Sequence, residues 1–282
     1  MSIIFTDPSV TSYRTEGHAE SPERVARTAE RLKAAGHRLE LPGVRASKED
    51  ILKVHTEKHL ESVEKGTYGD SDTPFHPGIA EVATTSLSGA LSAADEAASG
   101  RPAFSLMRPP GHHAGRERVA GFCFLNNAAA AVFRLAPRRV AILDIDVHHG
   151  DGTEDIVLGK GDILCCSLHQ VPLYPGTGLE SRGNCRNFPL PPRTGEADYL
   201  RALEKALTLI RDFKPEVLAV SAGFDTYKDD PLAQLDLDKP TYRRIGRMIA
   251  QAGLPRFAVL EGGYSRDLPA LVELFLDGFF AG

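Results

Sequence analysis

Short apolar runs alternate along the chain with longer stretches in which apolar residues recur at helical spacing. The apolar runs lie at residues 2–6, 103–107, 139–147, 162–169, 216–225 and 256–263. Several are apolar at nearly every position, which is typical of parallel strands buried on both faces. The helical stretches lie at residues 22–35, 76–99, 125–136, 197–213, 239–252 and 267–280. This alternation predicts an α/β fold with a central, mostly parallel sheet and helices on both faces.

No internal repeat or linker divides the chain, so we expect a single domain over residues 1–282. Hydrophobic residues make up 42% and charged residues 25%, which excludes a disordered chain, a collagen and a coiled-coil rod. The net charge is −5, whereas nucleic-acid-binding proteins are typically basic, so we expect no direct nucleic-acid binding. No stretch reaches the roughly 20 apolar residues of a membrane helix, and the N-terminus does not resemble a secretory signal. We therefore expect a cytoplasmic protein with no membrane partner.

The four cysteines form no Cys-x-x-Cys pair, so the sequence does not support a zinc ribbon. Cys123, Cys165 and Cys166 lie in apolar surroundings and are interpreted as small buried residues. Cys185 lies among polar residues, which predicts a loop position and a free thiol.

Polar residues of types that can bind metals or transfer protons follow four of the apolar runs. These segments read RPPGHHAG from residue 108, DIDVHHGDG from residue 144, SAGFD from residue 221 and EGGY from residue 261. In open parallel sheets, ligands bind beyond the carboxyl ends of the strands. We therefore expect the functional site where these four segments meet.

The segment from residue 144 has the composition of a metal site. Asp144, Asp146 and His148 are spaced two apart, and on a strand such residues point the same way. Asp225, at the end of another run, is a natural third ligand beside Asp146 and His148. One histidine with carboxylates suits zinc or iron(II), and three protein ligands leave the open position of a catalytic site. The alternative is a buried ion pair, but three aspartates and two histidines within residues 144–151 favour the metal.

Two further segments offer proton transfer and oxyanion binding. Adjacent imidazoles such as His112 and His113 can be made to differ by partner carboxylates, for which Asp144 and Asp151 are available. A tyrosine after two glycines, as in 262–264, can donate a hydrogen bond to a developing oxyanion. Read alone, each segment is also compatible with an ordinary turn.

Together these segments resemble the zinc-dependent histone deacetylase family, which has the arginase-deacetylase fold. The resemblance rests on RPPGHHAGRERVAGFCFLNN, LDIDVHHGDGTED, SLHQVPLYPGTG, SAGFDTYKDDPL and LEGGY, in this order. It extends from His18 to Tyr264, which is most of the chain. The segments ESPER from residue 20 and DPL from residue 230 are most similar to the class II branch and its bacterial relatives.

The resemblance implies a set of site residues. The zinc ligands would be Asp146, His148 and Asp225. His113 would be the general base and acid, and His112 would be a second histidine with a mainly electrostatic role. Asp144 would be the carboxylate behind His112, and Asp151 the carboxylate behind His113. Tyr264 would donate a hydrogen bond to the oxyanion. The substrate channel would be formed by Gly121, Phe122, Tyr174 and Gly263, with Leu232 at its rim. A structural potassium ion would be bound by Asp144, Asp146, His148, Ser167 and Leu168, in part through backbone carbonyls. Arg24 matches an arginine near an internal pocket below the zinc, the alternative being an arginine on a surface helix.

The implied reaction is hydrolysis of the amide of Nε-acetyl-lysine or another acyl-lysine in proteins or peptides, with zinc or alternatively iron(II). A second hypothesis is deacetylation of small acylated amines such as acetylpolyamines. Leu232 favours the first, because polyamine-directed class II relatives can carry an acidic residue there. A catalytically inactive acyl-lysine-binding protein is disfavoured, since every predicted catalytic residue is present. Residues 69–77 should supply a rim loop in which Asp70 and Asp72 contact the substrate backbone, attract a cation or remain solvated.

Overall fold

The computed structural model describes residues 3–136 and 138–281, and one eight-stranded sheet forms the centre of this part of the chain. The strands are β1 (Ile3–Phe5), β2 (Leu39–Glu40), β3 (Ala103–Ser105), β4 (Val140–Asp144), β5 (Ile163–Gln170), β6 (Cys185–Leu190), β7 (Val217–Ala222) and β8 (Arg256–Leu260). Their order is β2-β1-β3-β8-β7-β4-β5-β6, and each neighbouring pair is parallel. The predicted parallel α/β sheet is confirmed.

Helices cover both faces of the sheet. They are α1 (Glu23–Ala34), α2 (Lys48–Leu52), α3 (Glu57–Lys65), α4 (Ile79–Ala98), α5 (Asn127–Arg134), α6 (Asp151–Val157), α7 (Glu196–Phe213), α8 (Lys239–Gln251) and α9 (Leu268–Phe279). The six predicted helices correspond to α1, α4, α5, α7, α8 and α9, with ends shifted by at most a few residues. The prediction missed α2, α3 and α6, which are short. A capping box of Ser47 and Asp50 begins α2 and is a signal that sequence reasoning could have used.

Alternate residues of each central strand enter different cores, because successive side chains of a strand point to opposite faces. In β4, Ala141 and Leu143 pack in the core that includes residues of α1, α7, α8 and α9. Val140 and Ile142 pack in the second core, with residues of α2 to α6. Burial on both faces explains why these strands read as continuous apolar runs rather than alternating ones.

Three strands end three residues before the ends of the apolar runs that predicted them. β4 ends at Asp144, β7 at Ala222 and β8 at Leu260. Beyond Asp144 the chain turns, because the Asp144 Oδ1 atom accepts a hydrogen bond of 3.0 Å from the Asp146 backbone N–H. Strand alternation therefore does not extend to Asp146 and His148, which lie beyond the end of β4.

Cys185 does not lie in a loop. It is the first residue of the edge strand β6, pairs in register with Cys165 of β5, and is 1% exposed. The polar sequence of β6 hid this strand, since edge strands keep polar residues on their open side. All four cysteines are free and buried, as predicted for the other three.

Some predictions fall partly outside the described residues. Ser2, at the start of the first predicted strand, is one such residue, and Met1, Pro137 and Gly282 of the predicted single domain are the others. Within 3–136 and 138–281, no helix has both the length and the apolar character needed to cross a membrane.

Candidate active site

The carboxyl ends of β3, β8, β7 and β4 are neighbours along one edge of the sheet. The segment after β3 carries residues 112–113, and the segment after β8 carries Tyr264. The segment after β7 carries Asp225, and the turn after β4 carries residues 146–148. Side chains far apart in sequence therefore converge where the parallel topology predicts a site.

Asp146, His148 and Asp225 form a compact buried group. Each offers a ligand atom, and the three atoms lie within 4.8 Å of one another. The two aspartates are 0% exposed and His148 is 9% exposed. His148 Nδ1 lies 3.1 Å from Asp146 Oδ1 and 3.2 Å from Asp225 Oδ2. The three predicted metal ligands are thus brought together.

Three observations fit a cation at this group. Among the described residues no group makes a hydrogen bond of normal geometry to the buried Asp225 Oδ2 atom, although His148 Nδ1 lies 3.2 Å away, and such burial is costly for a carboxylate unless a cation binds it. A Cβ atom added at Gly262 would lie 2.1 Å from Asp225 Oδ2, and one added at Gly223 would lie 2.2 Å from Asp146 Oδ2, so both glycines keep space clear around the oxygens. Burial opposes a charged imidazole, yet Asp146 and Asp225 raise the pKa of His148 to about 10. The two carboxylates therefore stabilise positive charge at this position.

Asp144 stands behind His112 instead of joining this group. Its Oδ2 atom lies 3.0 Å from His112 Nδ1. His113 has the equivalent partner in Asp151, with 2.7 Å between His113 Nδ1 and Asp151 Oδ1. The two rings are 4.0 Å apart at their centroids. Both histidine–carboxylate pairs expected from the resemblance are present.

The two histidines differ in protonation. Burial acts against the charged form of His112, but the carboxylates of Asp146 and Asp144 outweigh it and raise the pKa of His112 well above its ordinary value. Burial and the neighbouring charge of His112 lower the pKa of His113 to about 3. At neutral pH His113 is therefore uncharged and able to accept a proton.

A cavity of about 210 Å³ leads from the surface to these residues. It is lined by Asp72, His113, Gly121, Phe122, His148, Leu173, Tyr174, Leu232 and Tyr264. Gly121, Phe122, Tyr174 and Leu232 thus lie where the resemblance placed them. Gly263 is not among the lining residues: its carbonyl points away and accepts a hydrogen bond of 2.8 Å from Arg24 Nε. Leu173 is a wall residue that sequence reasoning did not single out.

Tyr264 lines this cavity with its backbone held in place. Its N–H donates a hydrogen bond of 2.7 Å to Asp230 Oδ2, and its ring meets the Phe122 ring edge-on, with 5.7 Å between the centroids. Arg24 is 5% exposed and lies over the Tyr264 ring, 4.9 Å from the ring centroid. Arg24 is therefore an internal arginine and not a surface one. Burial raises the pKa of Tyr264 well above its ordinary value, so the hydroxyl keeps its proton at neutral pH.

Two of the predicted potassium ligands are paired in the sheet. Asp144, the last residue of β4, is the register partner of Ser167, which lies within β5 next to Leu168. The Ser167 hydroxyl is hydrogen-bonded to His169 Nδ1 at 2.9 Å, which leaves the backbone carbonyls as the predicted ligands there. The potassium site stays a prediction.

Sequence reasoning missed Glu261. This carboxylate is 0% exposed, and its Oε2 atom accepts hydrogen bonds from the backbone N–H groups of Gly111 at 2.7 Å and His112 at 3.1 Å. Its Oε1 atom accepts a third from Ser221 Oγ at 3.1 Å. The signal was an acidic residue directly at the end of a buried apolar run.

The model of the histone deacetylase domain matches residues 18–277. The chain belongs to the histone deacetylase family. A probable deacetylase of Archaeoglobus fulgidus is 37% identical to this histone deacetylase homologue, over 93% of the chain and 81% of the relative. Acetylpolyamine amidohydrolase 1 of Pseudomonas aeruginosa is 41% identical over 72% of the chain and 63% of its own length.

Solved structures of this family share the fold. The crystal structure of an acetylpolyamine aminohydrolase from Burkholderia pseudomallei superimposes with a TM-score of 0.89 at 29% identity. The match covers 100% of this chain and 99% of that one. The arginase-deacetylase fold implied by the motifs is confirmed, and the chain is a histone-deacetylase-like amidohydrolase.

Proposed function

We propose that this protein hydrolyses the amide of Nε-acetyl-lysine, or of another acyl-lysine, in peptides or proteins, with zinc as its metal. The observation that supports this best is the buried Asp146–His148–Asp225 group, whose His148 lines a narrow cavity with aromatic walls. At about 210 Å³ the cavity is smaller than the roughly 300–1,000 Å³ of pockets for drug-sized ligands. It suits a single alkyl chain with a small acyl group at its end.

The ligand set suits zinc because one imidazole and two carboxylates supply three of its four usual positions. When bound, zinc acts as a Lewis acid on the amide carbonyl and makes water acidic enough to lose a proton near pH 7. Iron(II) is compatible with the same three side chains.

The protein's own groups supply the proton transfer and the oxyanion contact. The hydrogen bond from His113 Nδ1 to Asp151 leaves His113 Nε2 free to take the proton of the attacking water. Tyr264 donates a hydrogen bond from its hydroxyl to the oxyanion on the substrate carbon, and His113 then delivers the proton to the leaving amine. Phe122 and Tyr174 hold the methylene stem and exclude water from it.

A second candidate function is hydrolysis of acetylated polyamines. Two observations favour it: named relatives are acetylpolyamine amidohydrolases, and the exposed Asp72 lies on the cavity wall, where its charge attracts ammonium groups. The two functions share one mechanism and differ only in the part of the substrate that extends out of the cavity, which is a peptide or a polyamine chain.

The test compares a fluorogenic acetyl-lysine peptide with N-acetylspermidine by kcat/KM. Each is assayed with as-purified protein, after chelation, and after adding back zinc or iron(II). We expect chelation to abolish turnover and zinc to restore it, with the peptide as the better substrate. Asp225→Asn should lose bound metal and activity, whereas Asp229→Asn, an exposed matched control, should retain both. Activity that survives in metal-free protein contradicts the proposal, and a tenfold preference for N-acetylspermidine selects the second function.

A further inference from the structure

The loop at residues 69–77 turns its polar groups toward the protein and not only toward solvent. Asp70 Oδ2 accepts a hydrogen bond of 3.0 Å from the Gly121 backbone N–H, and another of 2.5 Å from the Thr73 hydroxyl. The Thr73 hydroxyl oxygen in turn accepts a hydrogen bond of 2.9 Å from the Phe122 backbone N–H. Asp70 and Thr73, here called the Asp70–Thr73 clamp, therefore bind two successive amides of the cavity wall.

These two amides belong to a tight turn that needs external acceptors. Ala120 and Cys123 exchange backbone hydrogen bonds, so residues 121 and 122 form the tip of a two-residue hairpin. Gly121 has φ +54° and Phe122 has φ +70°, the positive values of a type I′ turn. A phenylalanine rarely adopts this conformation, so bonds to its backbone are needed to hold it there.

The position of this turn determines the shape of the cavity. A Cβ atom added at Gly121 would lie 2.4 Å from the His113 ring and 3.1 Å from the Tyr174 ring, so the backbone passes close to both. Phe122 packs edge-on against Tyr264 at 5.7 Å on one side and against His18 at 4.6 Å on another. The same loop supports His18, whose Nε2 atom lies 3.1 Å from the Asp72 carbonyl oxygen.

We propose that Asp70 and Thr73 are positioning residues that shape the cavity for substrate binding by holding the Gly121–Phe122 turn. The inference rests on the proposed function, because it assigns these residues to the channel for the acylated alkyl chain. Thr73 is 1% exposed and is not among the residues that line the cavity, so it acts through the wall. Asp70 contacts the same wall through its Oδ2 atom.

Four variants test the clamp. Thr73→Val keeps the shape of the side chain but removes the hydroxyl, Thr73→Ser restores it, and Asp70→Ala removes the second acceptor. Ser71→Ala is the control, since Ser71 is exposed in the same loop. We expect Thr73→Val and Asp70→Ala to raise KM about tenfold, the size of one lost buried hydrogen bond, with kcat within about threefold. Thr73→Ser should recover most of the loss in KM.

A second readout requires no turnover. Hydrogen exchange of the Phe122 amide, followed by NMR, should accelerate at least tenfold in Thr73→Val and return toward the wild-type rate in Thr73→Ser. Amides of β4 and β7, remote from the loop, should keep their rates in both variants. This comparison separates local loosening of the turn from general destabilisation.

The outcomes are distinct. A raised KM in Asp70→Ala alone means that Asp70 binds substrate directly and overturns the clamp. A lower melting temperature in Thr73→Val with unchanged KM means a purely structural role and also overturns it. If wild-type protein hydrolyses neither substrate, the proposed function fails, but hydrogen exchange at the Phe122 amide still tests the clamp. Unchanged protection of this amide in Thr73→Val refutes the clamp. Lost protection supports the contact between Thr73 and the turn.

Discussion

Substitution of Glu261 tests whether this buried carboxylate holds the histidine segment of the site in position. Its carboxylate binds three buried donors: the backbone N–H groups of Gly111 and His112, and the Ser221 hydroxyl. Glu261→Ala leaves all three without an acceptor, at about 1–3 kcal/mol for each unpaired donor. Water entering the vacated space offsets part of this cost, so we expect a loss of about 3 kcal/mol in the free energy of unfolding. A domain of ordinary stability remains folded after such a loss.

The same change should reduce catalysis, because the N–H of His112 is anchored by Glu261 beside the predicted base His113. Misplacement of a catalytic group by about 1 Å costs on the order of 100-fold in rate, and we expect that loss in kcat for Glu261→Ala. Glu261→Gln is the matched variant. Its amide oxygen still accepts from both backbone donors, and burial raises the pKa of Glu261 to about 7, so an uncharged group is tolerated there.

Urea unfolding followed by circular dichroism, together with steady-state hydrolysis of the better substrate, measures both effects. We expect Glu261→Gln to lose about 1 kcal/mol or less in stability and less than tenfold in kcat. If Gln and Ala lose the same amounts, the charge of Glu261 matters and its hydrogen-bond geometry does not. If both behave as wild type, Glu261 does not hold the histidine segment and the reasoning fails.

Three further predictions follow from single contacts. Tyr264→Phe should retain bound metal and fold while kcat falls by about 100-fold or more, as for loss of one oxyanion donor; wild-type rates would remove Tyr264 from the mechanism. Gly262→Ala should lower the metal content measured by mass spectrometry, because its Cβ would meet Asp225 Oδ2 at 2.1 Å, whereas Gly43→Ala, with open space around it, should keep wild-type content. Burial and the neighbouring His59 lower the pKa of His55 to about 3, and its ring nitrogens already bond Gly115 O and Asn126 N–H, so the neutral ring is the folded form. The contribution of His55 to stability is complete above about pH 6.5 and should be lost, by up to about 1.4 kcal/mol per pH unit, as the pH falls toward 3. Urea unfolding at pH 7 and pH 5 measures this loss. An equal loss of unfolding free energy between these pH values in His55→Gln would assign it to other groups.

The architecture could be read from the sequence because strands buried on both faces must be apolar almost throughout. The runs containing β4, β7 and β8 were recognised for this reason, and parallel topology placed their carboxyl ends together. Asp146, His148 and Asp225 were selected because three aspartates and two histidines cluster within residues 144–151 and Asp225 ends another apolar run. Family motifs added the roles of His113 and Tyr264, which spacing alone left open.

Elements at the edge of the molecule were harder to predict. β6 was missed because an edge strand carries the polar composition of a loop, and this error placed Cys185 in a loop when it is buried. The turn after Asp144 was missed because the apolar run continues through Ile145 and Val147, although β4 ends at Asp144. An apolar composition indicates that residues are buried, and the residues just after β4 are buried although the strand has ended.

The amino-acid sequence by itself determined the parallel sheet, the two helical layers and the polar residues at the strand ends, because these depend on periodicity and on local chemistry. The resemblance had already paired Asp144 with His112, and the structure agrees. Only the tertiary structure decided the partners of the other carboxylates: Glu261 binds the segment before His113, and Asp70 binds the turn at Gly121. A carboxylate carries the same charge in each place, and its function depends on the donors that distant segments bring within about 3 Å of it.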